Sequence, residues 1–210
     1  MALVWQNGLL ERIIQPASLQ IIPKRSAQVS EAIPKMLAAE LRAMIRADAA
    51  AFNRLHEDLH TAYAARDLSK SGYDKWLSSA KAFHAHMSSI NPYLNACLEE
   101  GLADPALRRF AFLYLDEDTR YFRSGYIVER LMRKVKKIDL TEDEKATIRQ
   151  MVLRRVEHGR QRDFRQVCRL IPRVQTDDFR REVEAHLNSH NEAIRRWAGF
   201  ALTYFDNRAV

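Results

Sequence analysis

The sequence predicts an all-α protein, and three observations carry that prediction. The chain has 210 residues but only 6 glycines and 6 prolines, roughly half of the usual share, so few positions interrupt a helix. Good helix formers such as alanine, leucine, arginine and glutamate dominate the segments between them. No stretch shows the alternation of β-branched or aromatic residues with polar ones that a sheet needs. Because 47% of the residues are hydrophobic, the chain can bury a sizeable core.

Helix-start signals and apolar spacing place the helices of the N-terminal part. Either Ser26 or Ser30 caps the first long helix, with Pro34 in its first turn. Apolar residues at helical spacing carry this helix to a loop predicted at residues 67–72, either unbroken or with a break near Asp48. A second helix is expected to follow that loop.

The next helices are also predicted from their ends. Residues 88–92 start a helix that Gly101 ends as a C-terminal cap. Asp104 caps the following helix, in which a proline occupies the first position and loses no hydrogen bond there. Residues 116–119, three acidic residues and a threonine, predict the start of a long helix, which either continues to about residue 137 or is divided at Gly125.

The last third of the chain contains four further helix signals. Thr141 and Glu144 have the spacing of a capping box, in which each side chain binds the other residue's backbone N–H. A continuous helix is predicted over residues 161–173, and the last two helices begin near Thr176 and Asn191.

A short pattern occurs twice, which favours stacked helices over a catalytic motif. Residues 104–111 read DPALRRFA, and residues 191–198 read NEAIRRWA. Each copy combines a capping residue, an apolar anchor, two arginines and an aromatic–alanine pair. The predicted helix list puts five steps between the copies, whereas a strict two-helix repeat needs an even number. Either Gly125 divides its helix or the array is irregular.

The repeated unit resembles the HEAT-type helical repeat, over about residues 88–206. Each copy matches that motif at its cap, its apolar anchor, its first arginine and its alanine. The matching positions are Asp104, Leu107, Arg108 and Ala111 in the first copy, and Asn191, Ile194, Arg195 and Ala198 in the second.

This resemblance implies a right-handed α–α superhelix of HEAT-like hairpins. We expect an N-terminal helical bundle, residues 1–87, packed on a HEAT-like region, residues 88–210, as one continuous structural unit. In such arrays the motif arginine commonly pairs with an acid of the next unit. The arginines concerned are Arg108, Arg109, Arg195 and Arg196, and their candidate partners are Asp116, Glu117, Asp118 and Asp206.

The positive charge of the chain lies in its C-terminal part. Residues 1–118 carry 13 basic and 14 acidic side chains, a net charge of −1, whereas residues 119–210 carry 21 and 13, a net of +8. Such an asymmetry favours an acidic partner, either nucleic acid or an acidic protein.

Two rows of cations at helical spacing are the candidate polyanion-binding residues. Each row leaves an apolar side for the core, so that both rows could line one groove. A solvated, partly paired face remains the alternative interpretation. The two rows are Arg120, Arg123, Arg130, Lys134 and Lys137, and then Arg162, Arg165, Arg169 and Arg173.

One motif raises the alternative of a metal-dependent hydrolase. His56 and His60 fit the H-E-x-x-H spacing, which places both imidazoles on one face of a helix, and Glu57 would polarise a bound water. Asp58 is unusual between the two histidines, and no Gly-x-x-His follows. Two surface histidines on a polar helix face are the simpler interpretation.

The sequence as a whole favours a non-catalytic interaction protein whose basic half binds nucleic acid. It contains neither a glycine-rich phosphate loop nor G-x-S-x-G, although neither absence excludes an enzyme assembled from distant residues. A protein-binding scaffold is a further alternative. We expect no cofactor.

Because no window reaches eighteen apolar residues and no signal peptide is evident, we expect no membrane span and a cytoplasmic location.

Overall fold

The computed structural model describes residues 33, 36–122, 124–158 and 163–205, and these residues form helices and turns but no strand. The all-α fold is therefore confirmed for this part of the chain. The predicted caps Ser26 and Ser30, and Pro34, lie outside the described residues. A 3₁₀ turn, His186–Asn188, lies between the last two α-helices. In chain order the α-helices are α1 (Ala38–Ala64), α2 (Lys70–Ala85), α3 (Asn91–Glu99), α4 (Pro105–Glu117), α5 (Ser124–Val135), α6 (Glu142–His158), α7 (Phe164–Cys168), α8 (Ile171–Val174), α9 (Asp177–Ala185) and α10 (Glu192–Leu202).

Helix α1 is unbroken, and Asp48 lies buried within it. The Asp48 carboxylate accepts hydrogen bonds from Ser88 Oγ at 2.9 Å and from the backbone N–H of Ser89 at 2.7 Å. These bonds compensate the burial of the carboxylate. They also tie the middle of α1 to the segment that precedes α3.

The first turn of α2 requires a glycine at position 72. Ser69 caps α2 by accepting a hydrogen bond from the backbone N–H of Gly72 at 3.0 Å. A Cβ atom at position 72 would lie 1.9 Å from the carbonyl oxygen of Ala65. Only glycine permits this close approach of the two backbones. Helix α2 thus begins three residues earlier than the sequence pattern predicts.

The predicted caps of α4, α6 and α10 are confirmed. Asp104 Oδ1 accepts from the backbone N–H of residue 106 at 2.6 Å, and Asn191 Oδ1 accepts from that of residue 193 at 2.9 Å. Glu144 Oε2 accepts from the Thr141 backbone N–H at 2.8 Å, which completes the capping box. Gly101 follows α3 with φ of 92°, in the left-handed region that favours glycine.

The acidic residues 116–118 end a helix, and the prediction that they start one is wrong. Helix α4 runs through Glu117, Asp118 adopts φ of 47°, and α5 begins only at Ser124. The carboxylates of this segment form ion pairs with arginines from distant helices. Local sequence patterns cannot predict such pairs. Gly125 therefore lies in the first turn of α5 and does not divide a helix.

The predicted helix over residues 161–173 is also interrupted. The structure shows α7 and α8 as separate short helices, with Arg169 and Leu170 between them. Pro172 lacks a backbone N–H, and its ring would clash with the carbonyl group four residues earlier in a continuous helix. This break raises the number of helix steps between α4 and α10 to six, which is even.

Alternate helices of the central part pack on one another. Helix α3 packs against α5 and α5 against α7, while α4 packs against α6 and α6 against α8. Helix α6 also contacts α7, α9 and α10. One continuous apolar core joins these helices, from Leu41 on α1 through Met132 on α5 to Ala201 on α10.

A buried arginine links the ends of four helices. Arg155 on α6 is 2% exposed, and its guanidinium lies 2.7 Å from Asp118 Oδ1 and donates to Asp163 Oδ2 at 2.7 and 2.9 Å. Burial acts to lower the pKa of Arg155, but the charges of Asp163 and Asp118 raise it overall. The interaction joins the turn between α4 and α5 to the residue before α7.

Ion pairs also attach α1 to the end of α4. Arg42 contacts Asp116 at 2.7 Å and Glu117 at 2.8 Å, and Arg46 contacts Glu117 at 2.9 Å. The acidic segment predicted to pair with Arg108 thus pairs with arginines of other helices.

No described helix is both long and apolar enough to cross a membrane.

The motif arginine Arg108 does pair with an acid, but with a different one. Its guanidinium forms two hydrogen bonds of 2.5 Å to the carboxylate of Glu144, at the start of α6. In the second copy of the motif, Arg195 donates to the backbone carbonyls of Ser189 and His190 at 2.7 and 3.0 Å. The two copies share their caps but not the contacts of their arginines.

Candidate functional site

Helix α5 is strongly amphipathic, because its apolar residues recur at helical spacing. Val128, Leu131, Met132 and Val135 are buried in the core. Arg130, Arg133 and Lys134 have angular positions away from that side at 100° per residue. The buried side fixes the rotation of α5 and thereby turns the cations outward.

Four cations and one leucine line a shallow cleft between α3 and α5. The cleft has a volume of about 260 Å³. Arg133 pairs with Glu129 one turn earlier, whereas no ion pair among the described residues involves the other three cations. The leucine, Leu98, comes from α3, so the lining of the cleft combines positive charge with a small hydrophobic surface. The lining residues are Leu98, Arg130, Arg133, Lys134 and Lys137.

A second group of cations lies where α5 packs against α7. Gln166 Oε1 accepts a hydrogen bond from Arg169 Nη1 at 3.1 Å and lies 3.4 Å from Lys136 Nζ. Burial, followed by the positive charges of Arg169 and Arg133, lowers the pKa of the Lys136 ammonium. The contributions of Arg169 and Arg133 to this lowering indicate that the cations of the two helices are close enough to repel one another.

We call this surface the cationic face. Its cations lie at the outer side of α5, in the turn after it, and on or directly after α7. Apart from Arg133, none of them forms an ion pair with a described carboxylate. The cationic face consists of Arg130, Arg133, Lys134, Lys136, Lys137, Arg165 and Arg169.

Two of the predicted polyanion-binding residues are engaged elsewhere. Arg173 donates to the backbone carbonyls of Lys136 at 2.8 Å and Ile138 at 2.7 Å. It thus satisfies carbonyl groups left open beyond the end of α5. Arg120 lies before α5, 3.7 Å from the carboxylate of Asp118. We therefore leave both arginines out of the cationic face.

Two further predicted residues, Arg123 and Arg162, lie outside the described residues. Of the nine predicted cations, the cationic face contains five. Arg133 and Lys136 were missed in the sequence pattern. A signal for Arg133 was present, because it lies three residues after Arg130 and four before Lys137 on the same helix face.

The candidate metal ligands His56 and His60 lie on α1. No group of three or more His, Cys, Asp or Glu side chains in the described part of the chain could hold a metal ion. The His56 ring stacks on Phe122, with ring centroids 5.0 Å apart. Burial and the nearby charge of His60 lower the pKa of His56. The geometry of the described residues does not favour the hydrolase in which Glu57 would polarise a bound water.

The cysteines offer no activated nucleophile. Both are free and buried, and Cys97 Sγ donates to the carbonyl oxygen of Leu107 at 3.3 Å. Burial raises the pKa of Cys97 to about 12 and raises the pKa of Cys168 as well. A thiol is nucleophilic only as a thiolate, which a raised pKa disfavours.

No family model, curated protein or solved structure matches this chain. The resemblance to HEAT-type repeats therefore stays a prediction from the repeated motif.

Proposed function

We propose that this protein is an interaction protein that binds nucleic acid with its cationic face. The observation that carries the proposal is the concentration of cations without a described carboxylate partner across α5 and α7. Several arginines elsewhere in the molecule are paired with acids, as Arg42, Arg155 and Arg108 are. The cationic face thus has positive charge that the described part of the protein does not neutralise.

Phosphate groups supply the missing negative charge in this proposal. Arginine and lysine bind phosphates by charge-assisted hydrogen bonds, and each contact releases counterions from the nucleic acid. The proximity of Lys136, Arg133 and Arg169 supports this direction, because a bound anion would relieve the repulsion among them.

The order of the helices supports a HEAT-like stack as the framework of this face. In such a stack each helix packs against the second helix after it, which gives two layers. The contacts of α3 with α5 and of α5 with α7 follow that pattern. We propose that these three helices form one layer, so that the cations of neighbouring repeats share one surface.

The salt dependence of binding tests the proposal. About four phosphate contacts predict that affinity for a short labelled oligonucleotide falls roughly 50- to 150-fold between about 50 and 200 mM salt. Fluorescence anisotropy at several salt concentrations measures this change. Absence of binding at the lowest salt concentration, or an affinity that does not change with salt, would contradict nucleic-acid binding. An acidic protein would then become the better candidate partner.

A further inference from the structure

Tyr126 extends the cationic face with an exposed aromatic ring. It lies on α5 one turn before Arg130 and is 47% exposed. At 100° per residue, the angular position of Tyr126 lies within about 40° of those of Arg130 and Arg133. All three positions are opposite the buried side of α5, so the ring and the charges occupy one outward line.

Helix geometry sets the spacing along this line. Four residues of an α-helix advance about 6 Å along its axis. Tyr126, Arg130 and Lys134 are therefore placed at successive steps of that size, with the aromatic residue at one end. An extended polymer that carries both a charge and a flat ring in each unit can contact charge and aromatic groups arranged in this way.

The surroundings of α5 favour a single strand over a duplex. Helices α3 and α7 both pack against α5, so α5 does not protrude as a helix entering a major groove must. The bases of a duplex are stacked inside it and cannot lie on an aromatic side chain unless they are unstacked. A single strand exposes its bases, and sequence-independent binders hold them on aromatic residues beside a positive groove.

We infer that the ligand of the cationic face is single-stranded nucleic acid, with one base stacked on Tyr126 and the adjacent phosphates bound by Arg130, Arg133, Lys134 and Lys137. This inference rests on the proposed nucleic-acid binding and specifies its substrate class. Leu98, at the side of the cleft, adds an apolar contact for a sugar or base.

The test compares two substitutions of Tyr126 on two substrates. Tyr126→Ala removes the ring and is expected to weaken binding of a short single-stranded oligonucleotide roughly 5- to 100-fold. Tyr126→Phe keeps the ring and is expected to bind it as the wild type does. The same oligonucleotide annealed to its complement should bind both variants with little change. Fluorescence anisotropy at low salt gives the affinities, and circular dichroism confirms that each variant is folded.

Tyr73 offers a matched control, because it is an equally exposed tyrosine (48%) on α2, away from the cationic face. Tyr73→Ala should leave single-strand binding unchanged. The inference is overturned if Tyr126→Ala binds single strands as the wild type does, or loses single-strand and duplex binding by the same factor. In both cases salt-dependent binding by the wild type would still support the proposed function. Wild-type protein that binds neither substrate would overturn the proposed function itself.

Discussion

Replacing Arg155 with methionine is expected to destabilise the protein by about 3 to 5 kcal/mol. The substitution keeps most of the side-chain volume but removes the charge between Asp118 and Asp163. Asp163 then stays buried without its counterion, and Asp118 keeps only the more distant Arg120 and Arg154. The desolvation of these carboxylates is the main cost. The free energy of unfolding, measured by urea denaturation, checks the prediction.

Arg154 is the matched control for this prediction. It precedes Arg155 on α6, but its side chain is 30% exposed and lies 3.7 to 3.8 Å from the carboxylates of Asp118 and Asp116. Arg154→Met should cost at most about 1 kcal/mol, as exposed ion pairs do. Equal losses for the two variants would contradict the buried-network account. Adding Asp163→Asn to Arg155→Met should recover part of the loss.

The Arg155 network also matters for the cationic face. It fixes the turn that precedes α5 through Asp118 and the start of α7 through Asp163. These are the two helices whose cations meet near Gln166. The network therefore sets the relative position of the two groups of cations, and its loss would disturb binding as well as stability.

Removal of three cleft charges is expected to weaken nucleic-acid binding roughly 100-fold at low salt. The variant replaces Arg130, Lys134 and Lys137 with glutamine. These residues form no ion pair with a described carboxylate and lie at the surface, so the fold should stay intact. The slope of the logarithm of affinity against that of salt concentration should fall by about 2 to 3. Anisotropy titrations at several salt concentrations measure both quantities.

A second triple variant provides the control for net charge. Arg54 on α1, and Lys70 and Lys81 on α2, are exposed cations that likewise pair with no described carboxylate. Their replacement with glutamine lowers the net charge by the same three units at a different place. This variant should retain wild-type affinity. If both triple variants lose affinity equally, binding depends on overall charge and the cationic face has no special role.

Local signals in the sequence were sufficient for the helical class and for several helix starts. Asp104, Thr141 and Asn191 cap helices as predicted, because a cap depends on residues two or three positions away. The outward cations of α5 were likewise predicted for the most part, since helical periodicity places them opposite the apolar side.

The contacts between distant segments could not be predicted in the same way. Asp116 and Glu117 resemble a helix start, yet tertiary ion pairs with Arg42 and Arg46 hold them at a helix end. Arg173 has the spacing of a surface cation but donates to backbone carbonyls beyond the end of α5. Its role depends on where α5 ends and on how α8 packs, which the pattern of one helix does not report.

Lysine footprinting tests the central claim, that nucleic acid binds at the cationic face, most directly. The folded protein is acetylated briefly with and without saturating single-stranded oligonucleotide, and mass spectrometry gives the extent of modification at each lysine. The account predicts that the oligonucleotide protects Lys134 and Lys137, while Lys70 and Lys81 react equally in both samples. Protection of Lys70 and Lys81 with no change at Lys134 and Lys137 would contradict it.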